Sequence, residues 1–159
     1  MPAAGTPPTL QHGTTVALAG DGVLLVGPSG SGKSDLALRL ITCPLSMPDG
    51  RPAQFALVAD DQTWLTNDQG TLIASCPPAI AGKLEVRGLG IVAVAAVREA
   101  RLRLVVHLVG PEAVPRMPDP DATDMLAGVA VRRLQLWPFA ASTPAKILMA
   151  LTELRRFGL

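Results

Sequence analysis

The sequence predicts an α/β domain, rich in strands and with mixed sheet pairing, on three observations. Gly27-Pro28-Ser29-Gly30-Ser31-Gly32-Lys33-Ser34 fits G-x-x-x-x-G-K-[ST] at every fixed position. It lies between a short apolar run at 22–26 and a stretch at 34–41 whose apolar residues recur at helical spacing. Several further short apolar runs, separated by Asp, Asn and Gly, read as strands, and one more helical pattern closes the chain.

Each element follows from local signals. Residues 14–19 and 22–26 flank Gly20-Asp21-Gly22, a tight-turn sequence, and are expected to form a β-hairpin. That entry is unusual, because most phosphate-loop proteins bring this strand in from elsewhere in a parallel sheet. The loop glycines let consecutive N–H groups turn inward around phosphate oxygens. The lysine reaches the β and γ phosphates, and the serine hydroxyl completes a Mg²⁺ shell. The helix that follows presents orphan N–H groups and its dipole to the anion. Residues 44–52 read as a loop, and 55–59, 63–66 and 72–75 as strands separated by Asp60-Asp61-Gln62 and Asn67-Asp68-Gln69-Gly70. Residues 102–109, with Arg101 and Arg103 near the entry, and 129–136 are two more strands. Thr143 is expected to cap a last helix with Pro144 at its first position. Ile147, Leu148, Leu151 and Leu154 form one face, and Gly158 ends it.

Composition bounds the function. A chain of 159 residues, 48% hydrophobic, is one domain's worth (1–159) and can bury a sizeable core. With three Phe, two Trp and no Tyr, that core is built of Ala, Leu and Val. A net charge of +1 without runs of like charge argues against a nucleic-acid surface. Cys43 and Cys76 lack metal-ligand spacing and read as free, buried thiols of a reducing compartment. Residues 1–9 carry no basic stretch followed by an apolar core, and the longest apolar runs, such as 91–97, are too short to span a bilayer. A cytoplasmic location without membrane insertion is expected.

Three groups outside the loop attract chemistry. Asp60-Asp61 ends an apolar strand beside the phosphate loop, where a metal ligand or a general base is needed; a polar turn is the alternative. Alternation along a strand lets only one of the two face the phosphates easily. Glu85 and Arg87 lie two apart, on one face of an extended segment, before Gly88 and Gly90. They fit a carboxylate for Mg²⁺ with a cation for the moving phosphate, or an exposed ion pair before a turn. His12 reads as a solvated loop residue and His107 as a satisfied core residue.

Taken in order, His12-Gly13, the loop from Gly27 to Ser34, Val58-Ala59-Asp60-Asp61 and Glu85-Val86-Arg87-Gly88-Leu89-Gly90-Ile91 resemble the catalytic domain of bacterial HPr kinase/phosphorylase. Cys76-Pro77-Pro78-Ala79-Ile80 also fits. The resemblance implies a fold related to the nucleotide domain of PEP carboxykinase, in keeping with the hairpin. It also implies an ATP-dependent serine kinase acting on HPr, the phosphocarrier of the sugar phosphotransferase system. By position it makes Gly27, Pro28, Ser29, Gly30, Ser31, Gly32, Lys33 and Ser34 the ATP-phosphate site, with Ser34, Glu85 and Asp60 around Mg²⁺. Asp61 becomes the general base, His12 a neighbour of the transferring phosphate, and Arg87 a supporting cation. A homo-oligomer is the expected assembly.

Departures from the family shape the expectation. The sequence shows no counterpart of the N-terminal domain or of the C-terminal segment associated with dephosphorylation, so a short form is expected. Ala141 and Ser142 stand where the family has glycine and arginine before the last helix, which predicts a weak or lost phosphorolysis. The alternative function is a non-catalytic ATP-binding regulator that contacts a sensor kinase or a phosphotransferase-system protein.

Overall fold

The computed structural model describes residues 6–157. The strands and helices run β1 (Thr9–His12), β2 (Thr14–Leu18), β3 (Asp21–Val26), α1 (Lys33–Thr42), β4 (Leu45–Ser46), β5 (Pro52–Ala53), β6 (Phe55–Ala59), β7 (Gln62–Asp68) and β8 (Thr71–Ser75). There follow β9 (Lys83–Val86), β10 (Gly90–Ala93), β11 (Glu99–Leu108), β12 (Thr123–Leu126), β13 (Val129–Leu136) and α2 (Thr143–Arg156).

The expected hairpin is present, with its turn one residue earlier than Gly20-Asp21-Gly22, since Asp21 and Gly22 already belong to β3. Leu18 pairs with Asp21, and the two turn residues between them, Ala19 and Gly20, have φ of 48° and 87°. Two successive positive φ values match the strand twist of a two-residue hairpin. The principal sheet has the order β1-β7-β8-β11-β3-β2-β6 and mixed pairing. Its branch point is β11, whose one edge runs parallel to β3. Along the other edge residues 99–101 pair antiparallel with β8, and residues 104–108 pair parallel with β13. The strand needs 10 residues because two neighbours share that edge.

Alternation along β3 supplies two cores at once. Val23 and Leu25 join Leu36 and Leu40 of α1 and Ile147 and Leu151 of α2. Leu24 points the other way, into a second core with Val105, Leu65, Leu72 and Ala74. Both helices therefore lie on one face, and the sheet curls so that β7 and β8 close the other. A strand buried on both faces reads as a continuous apolar run, and residues 22–26 do.

Several expectations change. The 44–52 loop contains the β4–β5 ladder. His12 belongs to an edge strand rather than to a loop. Ser142, not Thr143, holds the cap position of α2, and the Thr143 hydroxyl instead donates to the Trp137 carbonyl. Cys43 is exposed and Cys76 half-buried, so neither is a core thiol. His107 is half-buried and bonded through Nε2 to Asp124 at 2.5 Å. Gly158, the expected end of the last helix, lies outside the described residues. No helix among the described residues is long and apolar enough to cross a membrane.

Candidate functional site

The strand β3 delivers the chain to the phosphate loop, and α1 leaves it at Lys33. Glycine suits the loop at two positions. A Cβ at Gly27 would approach Ser31 Oγ to 2.5 Å, and Gly32 has φ of 101°, a left-handed conformation that side chains disfavour. Gly32 caps α1 with no side-chain bond, leaving the first N–H groups of the helix for another acceptor. The Lys33 ammonium donates to the carbonyls of Gly27 at 2.8 Å and Pro28 at 3.0 Å, so it lies along the loop. The Ser31 hydroxyl is buried without a hydrogen-bond partner among the described residues.

Asp60 forms the floor. Its Oδ1 accepts from Thr14 Oγ1 at 3.0 Å and from Ser34 Oγ at 2.9 Å, and its Oδ2 accepts from the Glu85 backbone N–H at 2.9 Å. These bonds join β2, the start of α1 and β9 at one carboxylate that is 8% exposed. Asp61 behaves differently. Strand β6 ends at Ala59, and Asp61 takes φ of 64°, so strand alternation no longer decides where it points. Its carboxylate is 63% exposed and lies 3.4 Å from His12 Nδ1. The Gly13 N–H donates to the Asp61 carbonyl and the Asp61 N–H to Thr14 Oγ1, which hold the β1–β2 junction against this turn.

The sequence-derived set thus divides. Lys33, Ser34 and Asp60 meet at the loop, and His12 and Asp61 meet at its rim. Glu85 joins the floor through its backbone, with an exposed side chain. Arg87 is exposed and makes no side-chain hydrogen bond or ion pair among the described residues. Strand β9 ends at Val86, and Arg87 lies in the turn to β10 rather than on an extended face with Glu85; no ion pair joins the two.

Sequence reasoning missed Thr14, whose hydroxyl binds both aspartates' segments, because a threonine in a strand carries no local signal of a partner 46 residues away. Cys76 also feels the Asp60 charge. Burial pushes its thiol up, and the Asp60 carboxylate adds to the rise.

Hydroxyl and carboxylate oxygens suit Mg²⁺, and Ser34 and Asp60 already place one of each side by side. The uncapped helix start and the orphaned Ser31 hydroxyl fit a phosphate chain. The residues present therefore fit both groups.

A family model described as HPr Serine kinase C-terminal domain matches residues 5–153. The chain belongs to that family. An HPr kinase/phosphorylase from Bordetella petrii is 37% identical over 82% of this chain and 42% of its own length. One from Acidovorax sp. is 34% identical over 89% of this chain and 45% of its own. The chain thus spans about two fifths of the length of the curated relatives it matches. A solved structure, the Hpr(Ser) kinase/phosphatase from Coxiella burnetii, superposes with a TM-score of 0.73 at 28% identity, covering 92% of this chain and 90% of that one. The likeness to that structure agrees with the mixed α/β sheet described above.

Proposed function

We propose that this chain is an ATP-dependent protein-serine kinase domain whose substrate is HPr or an HPr-like phosphocarrier, acting in the cytoplasm. Family membership supports the class of reaction, and one structural observation supports catalysis over binding alone. The phosphate loop has a locked carboxylate at its floor, Asp60 on Ser34, and an exposed carboxylate at its rim, Asp61 beside His12. A binding module needs only the first.

In this reading the loop amides and the Lys33 ammonium hold the phosphates, and Ser34 and Asp60, with Glu85, hold Mg²⁺. When bound, the metal supplies neutralisation of the charge shared by the transferring phosphate and the leaving ADP. Asp61 accepts the proton of the substrate serine as its oxygen bonds to the γ phosphorus and the bond to the β-bridging oxygen breaks. His12 steadies Asp61, and Arg87, exposed in the turn after β9, supplies a supporting cation. Ser142 is exposed and neutral at the start of α2, so phosphorolysis of phosphoserine, in which two anions must approach, is weak.

The test is incubation with γ-labelled ATP and HPr, with mapping of the labelled residue. Phosphoserine on HPr, lost in Asp61→Asn while ATP still binds, is the expected result. ATP binding without any transfer by the unmodified chain would assign it as a nucleotide-dependent regulator instead.

A further inference from the structure

We infer that the ring of Phe139 is the stacking platform for the nucleotide base, an inference that rests on the nucleotide reading above. Phe139 is 55% exposed although the chain has only three Phe, two Trp and no Tyr. Its ring adjoins the phosphate loop, for a Cβ at Gly32 would meet its Cζ at 3.0 Å and its Cε1 at 3.1 Å. The segment carrying it is fastened. The Thr143 hydroxyl donates to the Trp137 carbonyl, and the Arg39 guanidinium, itself paired with Asp35, donates to the Pro138 carbonyl. Trp137 supports the ring edge-on, with centroids 6.2 Å apart and planes at 83°.

The hydrophobic effect alone gives no reason to hold a large ring rigidly in solvent beside a polar loop. A ligand that leaves the loop does. Sugar and base must continue from the α phosphate along the neighbouring surface, and a base has an apolar π-face that an aromatic ring covers. Elsewhere Phe55 is fully buried in the core, and Phe157, 64% exposed, follows the end of α2, away from the loop. A fixed ring meets the base without further loss of side-chain freedom. Stacking accepts any base, so ATP and GTP should bind with similar affinity.

Calorimetry with ATP and with inorganic tripolyphosphate tests this on the unmodified chain, Phe139→Ala and Phe139→Tyr. Phe139→Ala should weaken ATP by about 5- to 30-fold and leave tripolyphosphate within about two-fold, while Phe139→Tyr restores ATP binding. Equal weakening of both ligands would overturn the inference, since the ring would then only shape the loop at Gly32. Unchanged ATP affinity in Phe139→Ala would overturn it as well, and leave the phosphate site standing. Failure of the unmodified chain to bind either ligand would overturn the nucleotide reading and the stacking together.

Discussion

Asp60 and Asp61 are adjacent in the chain and differ in almost everything else. The first is at the floor of the site, 8% exposed, and ties three elements together through Thr14, Ser34 and Glu85. The second, 63% exposed on a left-handed turn at the rim, has a carboxylate that among the described residues meets only His12. A carboxylate that organises three donors cannot also move to take a proton, and one that is free to take a proton contributes little to the fold. In the proposed function, dividing the two tasks between neighbours lets the floor be rigid while the rim stays open to a partner.

The largest expected effect lies at the rim. Asp61→Asn should lower phosphate transfer by about 10²–10⁴-fold and leave ATP affinity and Tm nearly unchanged. Asparagine tolerates the same positive φ, so no backbone strain enters. Steady-state kinetics beside thermal unfolding reads both, and a large drop in Tm would break the division of tasks.

At the floor the balance reverses. Asp60→Ala strands the Thr14 and Ser34 hydroxyls and the Glu85 N–H, and should destabilise by about 2–4 kcal/mol. That corresponds to roughly 10 °C in Tm. A Tm within about 2 °C of the unmodified chain would show that the three bonds carry no net stability.

A smaller effect is expected at Ser142. Ser142→Arg adds a cation at an exposed position, so release of pyrophosphate from seryl-phosphorylated HPr plus phosphate should rise several-fold. The forward rate should hold, because in the proposed reaction Mg²⁺ would carry most of that charge. A reverse rate of the unmodified chain already equal to the forward one would contradict the reasoning.

The two thiols give the smallest and most local comparison. Burial and the Asp60 carboxylate raise the Cys76 pKa above the ordinary thiol value, whereas Cys43 is simply exposed. The fold therefore favours the neutral Cys76 thiol. That contribution to stability is present below the unfolded thiol pKa and is lost as pH rises through the raised one. Iodoacetamide near pH 8 should modify Cys43 first, with the gap narrowing as pH rises further. Asp60→Asn, which keeps an acceptor but removes the charge, should quicken Cys76 modestly.

Much of the site was legible locally. The loop pattern, the hairpin around Gly20 and the helical spacing after Lys33 depend on neighbours within a few residues, and the structure reproduces them. The resemblance located Asp60 and Asp61 but not their division of tasks. Alternation alone would have turned them to opposite faces, and the turn that begins after Ala59 removes that constraint. Likewise the two-residue spacing of Glu85 and Arg87 predicts a shared strand face, yet β9 ends one residue too early for that.

By itself the sequence determined the phosphate loop, because glycine placement and the Lys-Ser pair act through backbone freedom and local charge. It also determined the apolar faces of β3 and α2, which follow from period and composition. Only the tertiary structure decided that Thr14 and the Glu85 N–H complete the Asp60 floor, that His12 reaches Asp61, and that Phe139 is held against Gly32 by Arg39 and Thr143. Those contacts join residues brought together by strand pairing and curling of the sheet. Their energies depend on burial and distance, which no local pattern of residues encodes.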